Sequence, residues 1–362
     1  MSNRSKVSYP FFRRIHNGIE EEILNLKALL CENCNIESAA SLYEVLAESV
    51  KWLGSRIDGE ADNQREVTVE IARSYDKNSY RGSKFCPVNS LCGYVRKKLE
   101  PYLAGAYIHG SVSTMDYTDY SDLDTLFVIK NEAVEDPDKI RELERLLIKS
   151  TRYLYEFDSL QHHGHFFLTE SDLRYYSQSI LPLAAIRLST SILSRGNNLT
   201  FRLRDSSRES KLRFLDSIRI VRRYVKKDRG RLETPYYLKG FLSHFMMLPV
   251  LFLQLEGQYV SKKKSFQIMK ERVPSDTWRC MEQVSEIRLN WDQATSAFRQ
   301  RLMNMVGVWN PLLLPFFSIH LHPCRPFGSS IVDSRLLDEM LDFATHLLEL
   351  SGLHEDRQSR IC

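Results

Sequence analysis

The chain has 362 residues, 43% of them hydrophobic, and a net charge of +4. That length exceeds one average domain without requiring three. The apolar content excludes a disordered chain, and the small net charge excludes a uniformly basic nucleic-acid coat.

Residues 11–30 place Ile15, Ile19, Ile23, Leu26 and Leu30 on one stripe, and 37–57 carry a second, so both predict helices. Cys31-Glu-Asn-Cys34 has redox or zinc spacing but no second pair nearby, and reads as two thiols at a helix end. The seven scattered cysteines are odd in number, and residues 1–14 lack the apolar stretch of a secretory leader. Reduced thiols and a cytoplasmic location are therefore expected. Residues 58–84 are polar and contain Gly59, Asn63, Asn78 and Gly82, so they read mostly as loop.

Val88–Leu103 reads as a helix, Gly105–His109 as a strand and Met115–Ser121 as a polar connection. Asp124–Ile129, rich in β-branched and aromatic residues, is the next expected strand. Asp136-Pro137-Asp138 opens an amphipathic helix running to about residue 156. Leu160–Leu168 is expected as a third strand, and Ile180–Arg195 as a helix with a short strand before Gly196. From 207 onward the periods are helical: 207–228, 236–257, 261–272, 275–304 and 333–351. The expected architecture is α+β, with N-terminal helices over 1–87, a small mixed sheet with flanking helices over 88–205, and a helical domain over 206–362. The longest apolar run, Phe241–Leu255, contains His244, Pro249 and Gln254. It falls short of the about 20 residues a membrane span needs, and predicts a buried helix.

The chemistry concentrates between residues 107 and 129. Tyr107-Ile-His-Gly-Ser111 is followed, after ten residues, by Asp122-Leu-Asp124. On a strand, residues two apart share a face, which aims Asp122 and Asp124 the same way. Two carboxylates about 4 Å apart repel by roughly 1 to 4 kcal/mol, and a divalent cation between them reverses that sign. Mg²⁺ suits such a site, since it takes one or two carboxylates together with substrate phosphates. Gly110 permits close backbone approach to a phosphate, and Ser111 adds a hydroxyl.

Strand, Gly110-Ser111, gap and Asp122-x-Asp124 on a strand resemble the nucleotidyltransferase superfamily of DNA polymerase β. The form Ser121-Asp-Leu-Asp124 is similar to small bacterial members, and the resemblance covers roughly residues 88 to 200. It implies transfer of a nucleoside monophosphate, AMP from ATP in the first instance, to a hydroxyl of a small molecule, a protein or an RNA end. It implies Asp122 and Asp124 as ligands of Mg²⁺ or Mn²⁺, and Gly110, Ser111 and Ser121 at the nucleotide. No segment resembles a template-binding domain, so no DNA template is expected. Many members carry a third carboxylate on a later strand. The strand expected at 160–168 has none, and three arrangements are open. His163 or His165 replaces the ligand or acts as general base, Asp158 reaches the site, or the position is lost.

Residues 208–231 hold ten Lys or Arg against three acids, a local charge of +7, with Leu212, Leu215, Ile218, Val221 and Val225 forming the opposite, apolar face. Arg223, Lys226 and Lys227 are candidates for the triphosphate, and the same stripe suits an RNA backbone. Lys262–Lys264 reads as a solvated helix start. His320-Leu-His322-Pro-Cys324 alternates metal-ligand types without a fourth ligand, and reads as an ordered loop. Two other functions fit the sequence: a catalytically inactive nucleotide-sensing or partner-binding module on this fold, and an RNA binder acting through the basic helix.

Overall fold

The computed structural model describes residues 41–60, 65–195, 197–291, 297–321 and 332–353. The expected helix at 11–30, the Cys31/Cys34 pair, and His322 with Cys324 lie outside these residues. Helix α1, Leu42–Glu60, precedes a stretch expected to be loop that in fact contains two strands, β1 (Arg65–Glu70) and β2 (Arg73–Ser74). Val67 and Val69 alternate with Glu66, Thr68 and Glu70, and that period of two puts Val69 in the core. Helix α2 (Cys86–Tyr94), opened by Pro87 and carrying Val88, Leu91 and Cys92 inward, leads through two shorter turns into β3 (Leu103–His109).

A five-residue helix, α3 (Gly110–Thr114), separates β3 from β4 (Asp124–Ile129). Helix α4 (Pro137–Phe157) starts at an Asp136 cap whose side chain accepts from the backbone of Asp138 and Lys139. It buries Leu143, Leu146, Tyr153 and Leu154 beneath the sheet beside α2. Strand β5 covers only Phe166–Thr169, shorter and later than the expected 160–168. Asp158 caps the end of α4, and residues 159–165 form a connecting loop. Over 180–195 there is only a short helix, Leu183–Ile186, and the strand β6 (Thr190–Ser191), before β7 (Asn198–Leu203).

The main sheet has the order β2-β6-β3-β4-β5, with β3 antiparallel to β4 and β6, and β5 parallel to β4. β1 pairs with β7 in a separate antiparallel ribbon. Residues 65–74 thus pair with strands on the far side of the motif, although they precede residue 88.

The C-terminal half is helical as expected: α5 (Ser207–Lys226), α6 (Pro235–Phe245), α7 (Leu248–Leu255), α8 (Lys262–Arg272), α9 (Ser275–Leu289), α10 (Ala297–Trp309), α11 (Leu314–His320) and α12 (Ser334–Leu350). Phe214, Ile218 and Val221 of α5 pack with Phe241 and Phe245 of α6, Met281 of α9 and Phe343 of α12 in one core. Among the described residues, Pro235–Leu255 alone is long and apolar enough to cross a membrane, but 72% of it is buried in this core. Cys86, Cys92 and Cys280 are free thiols.

Candidate active site

The diacid lies where β3 ends and β4 begins. His109 pairs in register with Asp124, and the chain then turns at Gly110 with φ of 70°. A β-carbon at Gly110 would stand 2.4 Å from Asp124 Oδ2, so glycine alone lets the backbone pass that carboxylate. Asp122 precedes the strand rather than lying on it, yet both carboxylates converge on one ring. His163 Nε2 is 3.0 Å from Asp124 Oδ1 and 3.7 Å from Asp122 Oδ2. His162 approaches from the same loop, with Nδ1 3.4 Å from Asp122 Oδ2. Asp122, His162 and His163 each offer a ligand atom within 4.8 Å of the others, a group able to hold a metal ion.

The third carboxylate is Asp158, which meets Asp122 through a residue the sequence reading missed. Lys239 Nζ donates to Asp122 Oδ1 at 2.5 Å and to Asp158 Oδ2. Its side chain is wholly buried, and those of Asp122 and Asp158 are 12% and 11% exposed. Burial opposes ionisation of Asp122, yet Lys239 and the two histidines hold its carboxyl well below the usual carboxylate range. Burial and the Asp122 charge push Asp158 the other way, upward, against the pull of Lys239.

Lys239 reaches the motif because Tyr120 docks the preceding loop onto α6. Its hydroxyl donates to the Lys239 carbonyl at 2.6 Å and lies 2.8 Å from Ser243 Oγ, while its ring packs edge-on against Trp291. Lys84 fixes the same loop from the other side, binding the Thr118 carbonyl and Asp119. The 159–165 loop is fixed by Gln161, fully buried, which accepts from the Leu123 backbone and donates to the His163 carbonyl.

His165 points elsewhere. Both its ring nitrogens are engaged, by Thr125 Oγ1 at 2.6 Å and Ser150 Oγ at 2.8 Å, beneath the sheet. Burial and the nearby His163 push it down to about 3, so it is a neutral packing residue. His163 behaves oppositely. Burial opposes its charge, but hydrogen bonds to Asp122 and Asp124 raise it to about 10. With no cation bound, a ring that holds its proton at neutral pH is a counter-ion to the two carboxylates rather than the general base considered from sequence, and a metal ion binding there would displace that proton.

Ser111 is half-buried in the turn after Gly110. The Ser121 hydroxyl accepts from the Thr118 backbone at 2.9 Å and so closes the motif loop. Arg223, Lys226 and Lys227 stand exposed at the C-terminal end of α5, where Arg223 pairs with Asp228 at 3.5 Å. Among the described residues, no hydrogen bond or ion pair joins these three to the diacid. Besides Lys239, which is paired with Asp122, Lys262 in the first turn of α8 feels the charges of Asp124 and Asp122. It is half-buried rather than solvated; burial and the Arg288 charge push its ammonium down to about 7. Arg288 itself lies over the Tyr120 ring at 4.6 Å, and Lys263 reaches Asp116 of the motif loop at 3.7 Å. No protein-family model matches the chain, and no curated protein matches it.

Proposed function

We propose that the chain is a metal-dependent nucleotidyltransferase that moves a nucleoside monophosphate, AMP from ATP in the first instance, to a hydroxyl of a small molecule, a protein or an RNA end. The observation that carries this reading is the meeting around Asp122 of Asp124, Asp158 and the Gly110 turn, joined by His163 and Lys239. The donor set fits a divalent ion, since Asp122 Oδ2 and Asp124 Oδ1 both face His163 Nε2 within 3.7 Å. A bound ion supplies neutralisation of the triphosphate and favours in-line attack. The acceptor oxygen bonds to the α-phosphorus as the bond to the bridging oxygen breaks, pyrophosphate leaves with the electron pair, and the proton of the acceptor hydroxyl passes to water. Gly110 and Ser111 line the backbone side of the phosphates. Lys262, with Arg288 beside it, supplies positive charge from the helical domain. The test is pyrophosphate release from each of the four NTPs with Mg²⁺ or Mn²⁺, with a cell extract as acceptor source. Release above the extract alone supports the reading, and none with any NTP removes it.

One observation favours the inactive nucleotide-binding alternative. Lys239 already sits as a fixed cation between Asp122 and Asp158. That reading expects NTP binding without pyrophosphate release.

Lys262 makes nucleotide affinity depend on pH in a defined direction. Its ammonium, lowered to about 7 by burial and the Arg288 charge against the opposing pull of Asp124 and Asp122, is charged below that point and neutral above it in the free protein. Binding a polyphosphate above that point requires proton uptake, so the Lys262 contribution is full at pH 6 and weakens toward pH 8. The nucleotide's own titration is common to all variants. The ratio of ATP dissociation constants, parent over Lys262→Arg, is therefore expected to rise several-fold between pH 6 and 8, measured by calorimetry. A ratio independent of pH places Lys262 away from the phosphates.

A further inference from the structure

The loop that carries His162 and His163 gives the cluster a donor set different from carboxylates alone. We infer that it is a single-ion site for a divalent transition metal of the Mn²⁺ or Co²⁺ class, ligated by Asp122 Oδ2, His162 Nδ1 and His163 Nε2 with Asp124 beside His163, rather than a site for paired Mg²⁺ ions. The inference sharpens the cofactor of the nucleotidyltransferase reading, but it stands on metal binding and is tested without nucleotide.

Three features of the geometry carry it. First, the donor separations suit one ion. Nitrogen–oxygen distances of 3.4 and 3.7 Å link His162 and His163 to Asp122 Oδ2, and the three residues each offer a ligand atom within 4.8 Å of the others. An ion about 2.1 Å from each donor closes the two nitrogen–oxygen pairs at angles of roughly 110° to 120°, near tetrahedral.

Second, the histidines are prepared as ligands. His163 Nδ1 lies 3.0 Å from the Gly164 carbonyl and 3.3 Å from Gln161 Nε2, and in the tautomer that donates to the carbonyl Nε2 is the nitrogen free to face a metal. Gln161 braces the same residue, its amide nitrogen 3.1 Å from the His163 carbonyl. His162 Nδ1 is buried, faces the Asp122 carboxylate and has no hydrogen-bond partner. An unpaired nitrogen against a carboxylate oxygen is an arrangement that a cation between them satisfies.

Third, Lys239 excludes a second ion. It spans Asp122 Oδ1 and Asp158 Oδ2 from the far side, so the third carboxylate is already matched by a cation that cannot leave. Once His163 gives up its proton to the ion, three carboxylates and the Lys239 ammonium leave two negative charges, which one divalent ion neutralises. Imidazole nitrogen favours the later divalent metals, whereas Mg²⁺ takes oxygen donors.

The experiment is calorimetric and electron-paramagnetic titration of the full nucleotide-free chain with Mn²⁺, with Co²⁺ and Mg²⁺ in parallel. The expected results are one Mn²⁺ per chain bound at least tenfold more tightly than Mg²⁺, Co²⁺ tighter still, and ¹⁴N modulation of the Mn²⁺ signal from coordinated imidazole. His163→Gln, at a partly exposed position, is expected to weaken Mn²⁺ at least tenfold and reduce the ¹⁴N modulation, with Mg²⁺ binding little changed. His320→Gln serves as the control at a remote histidine and leaves both unaltered. Two ions per chain, Mg²⁺ as tight as Mn²⁺, absent ¹⁴N modulation or an unaffected His163→Gln each overturn the proposal. Failure of nucleotidyl transfer leaves these readouts unchanged, so the two readings fail separately.

Discussion

Lys239→Met is expected to lower the free energy of unfolding by about 3 to 5 kcal/mol, the range for removing one member of a buried ion pair. The side chain is wholly buried between two carboxylates that are themselves nearly so. Its loss leaves Asp122 and Asp158, 12% and 11% exposed, facing each other without the ammonium that pairs them. Methionine matches the length of lysine, so the loss is electrostatic rather than a cavity. Asp158→Asn gives the control: it keeps Lys239 paired one-to-one with Asp122, and a smaller cost of about 1 to 3 kcal/mol is expected, that of weakening one buried hydrogen bond to a charge. Urea denaturation of the three proteins measures both. A change below about 1 kcal/mol for Lys239→Met would mean that the carboxylates are solvated and that Lys239 does not hold the helical domain to the motif.

Asp124→Asn is expected to reduce nucleotidyl transfer by about 10² to 10³, or about 3 to 4 kcal/mol of transition-state stabilisation, the usual loss for one preorganised electrostatic group. Asp124 is 24% exposed, and its ion-pair partner is His163 rather than Lys239. Its neutral isostere should therefore leave stability within about 1 kcal/mol of the parent. Asp122→Asn is expected to lose as much activity and also stability, because Asp122 is the carboxylate that Lys239 and both histidines share. The pair of variants separates chemistry from folding. Activity of Asp124→Asn near the parent level removes the diacid from the mechanism.

Much of this site was legible from local sequence. Gly110-Ser111 and the Asp122/Asp124 pair could be read because the β3 turn, the gap and β4 are contiguous in the chain, and each needs a distinctive residue type. The helices after 207 were legible from their period. The separate β1–β7 ribbon was missed. Val67-x-Val69-x-Ile71 and Leu199-x-Phe201-x-Leu203 both alternate, but the glycines and asparagines around the first drew it toward a loop reading. Strand β5 starts at Phe166 because the preceding residues are turned toward the diacid by Gln161, which no periodicity announces.

The residues that complete the site come from elsewhere in the chain. Asp158 was one of three open alternatives, and the structure brings it to Asp122 as the cap of α4. Lys239 left a signal that was not used: it is a lone charge among Leu238, Phe241, Leu242 and Phe245, on the inward face of α6. A lysine at such a position needs a buried acid, and the chain offers few. Lys262 had no comparable mark, since its neighbours Lys263 and Lys264 are exposed and the three read alike in sequence.

The central claim is tested most directly by following the two ends of ATP. The full-length protein is incubated with ATP labelled at the α-phosphate and, in parallel, at the γ-phosphate, with Mn²⁺ and fractionated cell extract as acceptor. The account predicts α-label covalently retained on an acceptor, γ-label released as pyrophosphate in equal amount, and both lost in Asp124→Asn. Transfer of the γ-label to the acceptor, or ATP bound with neither label moved, would contradict it.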